Sequence, residues 1–132
     1  MQTSLLIQTT KNKELVDISS DVQAEIDRWG CHDGVLFLFV PHTTAAVTIN
    51  ENADPAVQED VIYALKKAFP DHPAFRHLEG NSDAHVMTSL TGSSEIIFIE
   101  EGRPVLGSWQ GIYLAEFDGP RKRRVVLKCL PG

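Results

Sequence analysis

Three histidines lie in polar segments of this 132-residue chain, at spacings that could bring their imidazoles together. His42 directly follows an apolar run, and the end of a buried strand is a usual place for a scaffold to present a ligand or catalytic group. His77 and His85 flank a Gly-Asn-Ser-Asp turn, so the chain can fold back and place both rings at one point. Three imidazoles with one open position suit zinc or a similar divalent ion. The spacing lacks the geometry of a His-Glu-x-x-His helix, so loop histidines bonded to the backbone are the alternative.

Two carboxylates, Glu51 and Glu116, are candidate catalytic groups, because a carboxylate beside an imidazole or a metal-bound water can act as a base or orient a ligand. Glu116 shares one face of an alternating segment with Ile112 and Leu114, which predicts partial burial. A buried carboxylate needs a cationic partner, and the arginines of segment 121–124 could supply one. A functional group and a structural ion pair are both open interpretations of Glu116.

The basic cluster 121–124 predicts an anion site. Arg121 and Arg123 could bind a phosphate or diphosphate bidentately, and Arg121 is also a catalytic candidate. Trp109 could stack on a planar ring of a substrate, although a single Trp on a strand is often a core residue. Other polar residues of the same segments are predicted substrate contacts: Asn50, Asn81, Ser82 and Gln110.

The overall charge limits the partners. The chain has 18 acidic and 12 basic residues, a net charge of −6, which argues against nucleic-acid binding and against docking on an anionic membrane. No apolar stretch approaches the roughly 20 residues of a membrane span. Cys31 and Cys129 match no metal or redox spacing and are predicted to be free thiols in a reducing compartment, so we expect a cytoplasmic protein.

The order of the predicted helices and strands that must position these residues indicates a single α+β domain over residues 1–132, with two to three helices. Ser4–Thr9 and Glu14–Ile18 are predicted to form a hairpin. A capping box of Ser20 and Gln23 should begin the first helix, which Gly30 should end. Short turns between the remaining strands predict antiparallel pairing. The other predicted elements are the strand Val35–Val40, buried on both faces; the strand Ala45–Asn50; a helix from Asp54-Pro55 to about Phe69; a short helix over Ala84–Leu90 capped by Ser82 and ended by Gly92; and the strands Glu95–Glu100, Pro104–Leu106, Gln110–Phe117 and Arg123–Leu130.

Three long blocks resemble one known family. They are Pro-His-Thr-Thr-Ala-Ala-Val-Thr-Ile-Asn-Glu-Asn-Ala-Asp at 41–54, His-Leu-Glu-Gly-Asn-Ser-Asp-Ala-His at 77–85 and Leu-Gly-Ser-Trp-Gln-Gly-Ile-Tyr-Leu-Ala-Glu-Phe-Asp-Gly-Pro-Arg at 106–121. In this order they are similar to the signature blocks of the YjbQ-like family, also called secondary thiamine-phosphate synthase. Ser108 stands where many members carry Thr, a change that keeps the hydroxyl.

The resemblance implies an α+β domain with β-sandwich-like sheets, assembled as a homotrimer with sites near the subunit contacts. It also supports His42, His77 and His85 as ligands of a divalent metal, zinc or magnesium. The implied activity is weak thiamine-phosphate synthase, which joins an aminopyrimidine-methyl diphosphate to a thiazole phosphate and releases diphosphate. That chemistry needs charge neutralisation on the departing diphosphate and a planar slot for the pyrimidinylmethyl cation.

Two alternatives to the transferase follow from the same residues. A metal-dependent hydrolase would use Glu51 or Asp83 as a base beside a metal-bound water. A trimeric module that binds a small ligand without turnover would need the same polar segments but no reacting groups.

Overall fold

Eight strands and three helices follow one another along the chain in the computed structural model, which describes residues 1–132. Their bounds are β1 Gln2–Gln8, β2 Glu14–Asp17, α1 Ser19–Trp29, β3 Gly34–Phe39, β4 Ala45–Glu51, α2 Pro55–Ala68, α3 Ser82–Thr91, β5 Ser94–Glu100, β6 Arg103–Pro104, β7 Gln110–Glu116 and β8 Lys122–Pro131. This confirms the predicted α+β class and the number of helices. None of the helices combines the length and the apolar character that crossing a membrane requires.

All strand pairs are antiparallel, as predicted, and they form two sheets. The larger sheet has the order β1-β8-β3-β5-β6 and the smaller one has the order β2-β7-β4. Inward-facing side chains of both sheets share one apolar core, in which Leu36 and Leu127 of the larger sheet join Ile112 and Leu114 of the smaller one. The two sheets therefore pack face to face, in the manner of a sandwich.

The predicted hairpin between the first two strands is wrong. β1 pairs with β8 in the larger sheet, and β2 pairs with β7 in the smaller one. Segment 9–13 instead carries the chain between the sheets beside segment 117–121: Thr9 N–H donates to Arg121 O at 2.9 Å, and Gly119 N–H donates to Asn12 O at 2.9 Å. The polar turn signalled the chain reversal correctly, but a turn sequence does not specify the partner strand.

The capping box predicted for α1 is absent, because the helix begins at Ser19 and no side chain caps it. Ser19 Oγ accepts the N–H of Ile112 at 2.9 Å, and Gln23 Nε2 donates to Gly102 O at 2.8 Å. These side chains thus fasten α1 to neighbouring segments rather than to its own first turn. The predicted end is confirmed: Gly30 has φ 65°, the left-handed conformation that glycine adopts without strain.

The other two helices begin differently. Asp54 caps α2 as predicted, since its Oδ1 accepts the N–H of Ala56 at 3.0 Å. In α3, Ser82 is the first helical residue rather than the cap, and Asn81 holds the cap position without a side-chain bond to the N–H groups of the first turn. Gly92 ends α3, as expected.

The larger sheet exposes an apolar outer face. In β3, Leu36 and Leu38 are buried while Phe37 and Phe39 face outward, so the prediction of a strand buried on both sides is wrong for the single chain. On β5, Ile96 and Phe98 are 62% and 63% exposed. We call the exposed set Phe37, Phe39, Ile96, Phe98 and Leu130 the outer apolar face. Contiguous exposed apolar patches of this kind mark interaction surfaces.

Candidate functional site

A cavity of about 360 Å³ lies where the loop between β3 and β4 meets the end of α3, and we call it the polar cavity. None of its seven lining residues is hydrophobic: His42, Thr43, His85, Thr88, Ser89, Gly92 and Ser93. An adjoining opening of about 500 Å³ shares His42, Thr43 and Ser93 and adds Phe39 of the outer apolar face. The only predicted site residues that line the polar cavity are His42 and His85.

The end of α3 is pinned to both sheets, which fixes one wall of the polar cavity. Gly92 N–H donates to Thr88 O at 2.9 Å, and Gly92 O accepts the N–H of Val47 in β4 at 3.2 Å. Ser93 O accepts the N–H of Val40, just beyond β3, at 2.8 Å. Gly92 has φ 102°, a conformation that side chains rarely adopt, so glycine at this position allows the helix to end and turn into β5.

His42 is held by the backbone of β8. Its Nε2 accepts the N–H of Arg124 at 2.9 Å. Partial burial lowers the pKa of His42, and the nearby charges of Arg123, Arg124 and Arg121 lower it further, against an opposing effect of Glu116. The imidazole is therefore neutral near pH 7, and because Nε2 accepts a hydrogen bond, the ring proton resides on Nδ1.

This arrangement decides what His42 can bind. A neutral imidazole has one lone pair available for a hydrogen bond or a metal, and the N–H of Arg124 uses it. Nδ1 then offers an N–H donor to a ligand, which suits an anion. As arranged in this structure, His42 does not fit the role of a metal ligand.

His77 and His85 approach one another. Their ring centroids are 5.3 Å apart and the ring planes are almost perpendicular, at 89°. His85 also lines the polar cavity. No group of three or more His, Cys, Asp or Glu side chains in the chain is arranged to hold a metal ion. One chain thus brings two of the three predicted imidazoles together, with no third ligand arranged beside them.

Glu116 and Arg123 are enclosed together. Arg123 Nη2 lies 2.5 Å from Glu116 Oε2, and its Nε lies 2.9 and 3.1 Å from the two carboxylate oxygens. Arg123 Nη2 also donates to Thr44 Oγ1 at 2.8 Å, while Thr9 Oγ1 donates to Glu116 Oε1 at 2.7 Å. Both side chains are almost entirely buried. The structure supports the ion-pair interpretation of Glu116, and it shows no open contact for an anion at Arg123.

Arg121 and Asn81 meet at a shared carboxylate. Arg121 Nη2 donates to Asp118 Oδ2 at 2.8 Å, and Asn81 Nδ2 donates to the same oxygen at 2.9 Å. Arg121 remains largely exposed. Ser82 follows Asn81 at the start of α3. Lys13, which the sequence did not single out, ties this region down by donating to Phe117 O at 2.6 Å and pairing with Asp83 Oδ2 at 3.1 Å.

The remaining predicted residues lie at the other end of the smaller sheet. Glu51 is opposite Gln110 in the register of β4 and β7, whereas Ala45, close to His42, is opposite Glu116. Six residue steps along a strand separate the two ends by roughly 20 Å. Asn50 accompanies Glu51, and Trp109 precedes Gln110. The sequence analysis assigned all of these residues to one site, but a single chain places them at two separate ends of the smaller sheet.

Trp109 is not a core residue, because 67% of its surface is exposed. Its carbonyl accepts the N–H of Asn52 at 2.9 Å, and Gln110 Oε1 accepts the N–H of Gly107 at 2.7 Å. These bonds fix the turn before β7 and leave the indole facing solvent. An exposed indole on a bonded turn is available to a planar ligand or to another chain.

Two cavity residues, Thr88 and Ser89, had no signal in the sequence. They lie within a predicted helix, where hydroxyl residues are ordinary, and only the packing of α3 against the loop after β3 shows that they line a cavity. Thr43 lies in the block 41–54 that the sequence analysis marked, whereas Ser93 lies between α3 and β5, and only the structure places both beside His42.

The comparisons with known proteins give one consistent result. The family model described as "UPF0047 protein YjbQ-like" matches residues 3–132. A UPF0047 protein of Methanocaldococcus jannaschii is 51% identical over 124 residues, which are 94% of this chain and 90% of the relative. The UPF0047 protein YugU of Bacillus subtilis is 44% identical over 98% of this chain and 99% of its own.

Solved structures agree with the sequence matches. A crystal structure of a YjbQ/UPF0047 family protein from Clostridium acetobutylicum has a TM-score of 0.93 at 47% identity, covering 97% of this chain and 99% of that one. A hypothetical protein from Aeropyrum pernix has a TM-score of 0.94 at 33% identity, covering 100% and 99%. This chain belongs to the UPF0047 YjbQ-like family.

Proposed function

We propose that the polar cavity binds the phosphate or diphosphate group of a small molecule. The observation that carries the proposal is its lining: two imidazoles and four hydroxyl side chains, with no hydrophobic residue. Hydroxyl and imidazole N–H groups donate to oxyanions, and hydrogen bonds to charged acceptors are the stronger ones. The Nδ1–H of His42, left free by the bond from Arg124 to Nε2, is one such donor.

The charges around His42 support the same ligand. Arg121, Arg123 and Arg124 are all close enough to lower the pKa of His42, and Glu116 is the one acidic group that acts against them. Arg123 is paired with Glu116 and Arg121 with Asp118, so Arg124 is the cation near His42 that is left without an ion pair, and it could attract an anion even on a protein whose net charge is −6. The small anion, rather than a nucleic acid or a membrane, is the partner that fits so local a cluster.

The proposed ligands of a divalent metal are His77 and His85 alone, because the lone pair of His42 accepts the N–H of Arg124. Those two imidazoles suit a zinc ion rather than magnesium, which prefers oxygen ligands, and a bound zinc ion would neutralise charge on phosphate oxygens. Water, the bound phosphate or a neighbouring chain would complete its coordination. The proposal of anion binding does not depend on the metal.

The family resemblance extends the proposal to transfer chemistry of the thiamine-phosphate synthase type. As the proposed anion site, the polar cavity would serve the first requirement of that reaction, a place for the departing diphosphate. The second requirement is a planar slot, and Trp109 of the same chain lies roughly 20 Å from the cavity end of the sheet. A second copy of the chain would have to bring its own indole to the site.

We therefore propose the homotrimer as the active assembly, with the outer apolar face between subunits. Phe39 belongs to this face and also borders the opening next to the polar cavity. A copy covering the face would thus border the cavity, in line with a site shared between subunits. The buried free thiols of Cys31 and Cys129 fit the cytoplasmic location that we propose, where thiols stay reduced.

The hydrolase alternative has less support. Its candidate bases are Glu51, at the far end of the smaller sheet, and Asp83, which is paired with Lys13. Neither of them lines the polar cavity. A ligand-binding module without turnover shares the anion site and differs only in chemistry.

Calorimetric titration with sodium diphosphate tests the anion site directly. We expect binding to wild-type protein that weakens as NaCl is added, and an affinity reduced about tenfold or more by His85→Ala. His32→Ala is the matched control, since His32 lies outside the cavity beside Asp33 and its removal should leave the affinity unchanged. Absence of diphosphate binding by the wild type would contradict the proposal.

Product analysis then separates the enzyme from the binding module. The transferase requires both the aminopyrimidine-methyl diphosphate and the thiazole phosphate before diphosphate is released. Release from one substrate alone would indicate a hydrolase, and binding of both without release would indicate a module.

A further inference from the structure

Thr88 carries a buried hydroxyl that has no hydrogen-bond partner. The residue is 8% exposed, and its Oγ1 is one of only two buried side-chain polar atoms in the chain without a partner. In a helix, a threonine hydroxyl commonly bonds to a carbonyl three or four residues earlier, but Thr88 does not. An unpaired buried polar group lowers stability, so its presence calls for a reason.

The position of Thr88 supplies that reason. Thr88 lines the polar cavity together with His85, which lies three residues earlier on the same side of α3. His42, from the loop between β3 and β4, also lines this cavity. Threonine in a helix populates two χ1 rotamers, so a rotation about one bond redirects the hydroxyl toward a ligand.

The other unpaired atom, Asn81 Oδ1, is of a different kind. It is a carbonyl oxygen that can only accept a hydrogen bond, and Asn81 does not line the polar cavity. A phosphate oxygen requires a donor. Of the two unpaired atoms, only the hydroxyl of Thr88 can serve an anion.

We infer that Thr88 is a ligand-binding residue of the polar cavity, whose hydroxyl donates to a phosphate oxygen of the bound molecule, as the Nδ1–H of His42 does. The inference rests on the proposed function, since it takes the ligand of the cavity to be an oxyanion. It adds a residue that no sequence motif marks, and it explains why an unpaired hydroxyl is kept in the interior.

The substitution Thr88→Val separates binding from folding, because valine has nearly the same shape and lacks the hydroxyl. We expect the affinity for sodium diphosphate, measured by calorimetry, to fall about ten- to hundredfold. The melting temperature should stay unchanged or rise, because the unpaired polar group is gone. Thr88→Ser should keep most of the affinity.

Thr91→Val is the matched control, since Thr91 lies on α3 but does not line the polar cavity, and its affinity should equal that of the wild type. Wild-type affinity in Thr88→Val would overturn this inference and leave the anion site intact. A melting temperature lowered in Thr88→Val would assign the hydroxyl to folding and also overturn it. A wild type that binds no diphosphate would overturn the proposed function, and the inference with it.

Discussion

The guanidinium of Arg123 and the carboxylate of Glu116 meet in the interior of the sandwich, with Nη2 and Oε2 2.5 Å apart. Both carboxylate oxygens have further donors, because Thr9 Oγ1 bonds Oε1 and the N–H of Asp118 bonds Oε2. The next residue, Arg124, donates its backbone N–H to His42. The ion pair therefore fixes the part of β8 that holds His42 in place.

Removing one member of this pair should destabilise the protein strongly. Arg123→Met leaves the Glu116 carboxylate buried without a cation, and we expect the free energy of unfolding in urea to fall by about 3–5 kcal/mol. The double variant Arg123→Met, Glu116→Leu should recover much of that loss. Arg121→Met, which removes the half-exposed partner of Asp118, is the control and should change stability by less than about 1 kcal/mol. Equal effects of Arg123→Met and Arg121→Met would contradict a buried pair.

The same pair predicts a loss of stability in acid. Burial alone would raise the pKa of Glu116, but hydrogen bonds from Arg123, Thr9 and Asp118 hold it below its ordinary value of 4.5. A carboxyl whose pKa is lower in the folded state stabilises the protein above its unfolded pKa, and that contribution is lost as the pH falls through the folded value. We expect unfolding free energies measured in urea to decline below about pH 4.5. Glu116→Gln should show a smaller decline, and an identical pH profile would refute the assignment.

Local patterns in the sequence were sufficient to predict where helices and strands lie, but not which strands pair with one another. Asp54 before Pro55 fixed the start of α2, because a side-chain cap acts within one turn. The reversal at segment 9–13 was equally visible, yet β1 and β2 enter different sheets. Strand pairing depends on contacts between residues far apart in sequence, such as Thr9 and Arg121, and no local pattern encodes those.

At the candidate site, too, local features could be predicted from the sequence and long-range contacts could not. Alternation over 110–116 placed Glu116 among apolar neighbours, and the structure confirms its burial. The sequence also offered the arginines as its partners, but could not tell which of them turns inward. His42 is predicted as a metal ligand from its place after a buried strand, and the sequence could not show that the N–H of Arg124, 82 positions away, donates to its Nε2. Trp109 and Glu51 seemed to belong with His42 only because the register of β4 and β7 was not known.

Metal binding should depend on His77 and His85 together. We expect the double variant His77→Ala, His85→Ala to lose the bound zinc measured by elemental analysis of purified protein. His42→Ala should retain it, because the lone pair of His42 is engaged by Arg124. Equal metal content in the double variant and the wild type would remove the coordination hypothesis, whereas loss in His42→Ala would restore the triad.

The assembly should depend on the outer apolar face. Phe98→Lys places a charge among Phe37, Ile96 and Leu130, so we expect a trimer in sedimentation analysis of the wild type and a smaller species in the variant. Leu78→Lys is the control: Leu78 is fully exposed but lies in the loop before α3 rather than on a strand of the larger sheet. A wild-type chain that sediments as a monomer would contradict the proposed trimer. A Phe98→Lys trimer would move the interface elsewhere.

The protonation of His42 is the last test, because it decides between an anion donor and a metal ligand. Burial and the three nearby arginines lower the pKa of His42, whereas the hydrogen bond and charge of Asp33 raise the pKa of His32. Nuclear magnetic resonance titration should therefore find His42 neutral at a pH where His32 is still protonated, with His32 serving as the internal reference. Nitrogen shifts of the neutral ring should place its proton on Nδ1, because Nε2 accepts the N–H of Arg124. A proton found on Nε2 instead would mean that this bond is not made; His42 would then have a lone pair on Nδ1 for a metal, and the donor assigned to the polar cavity would be lost.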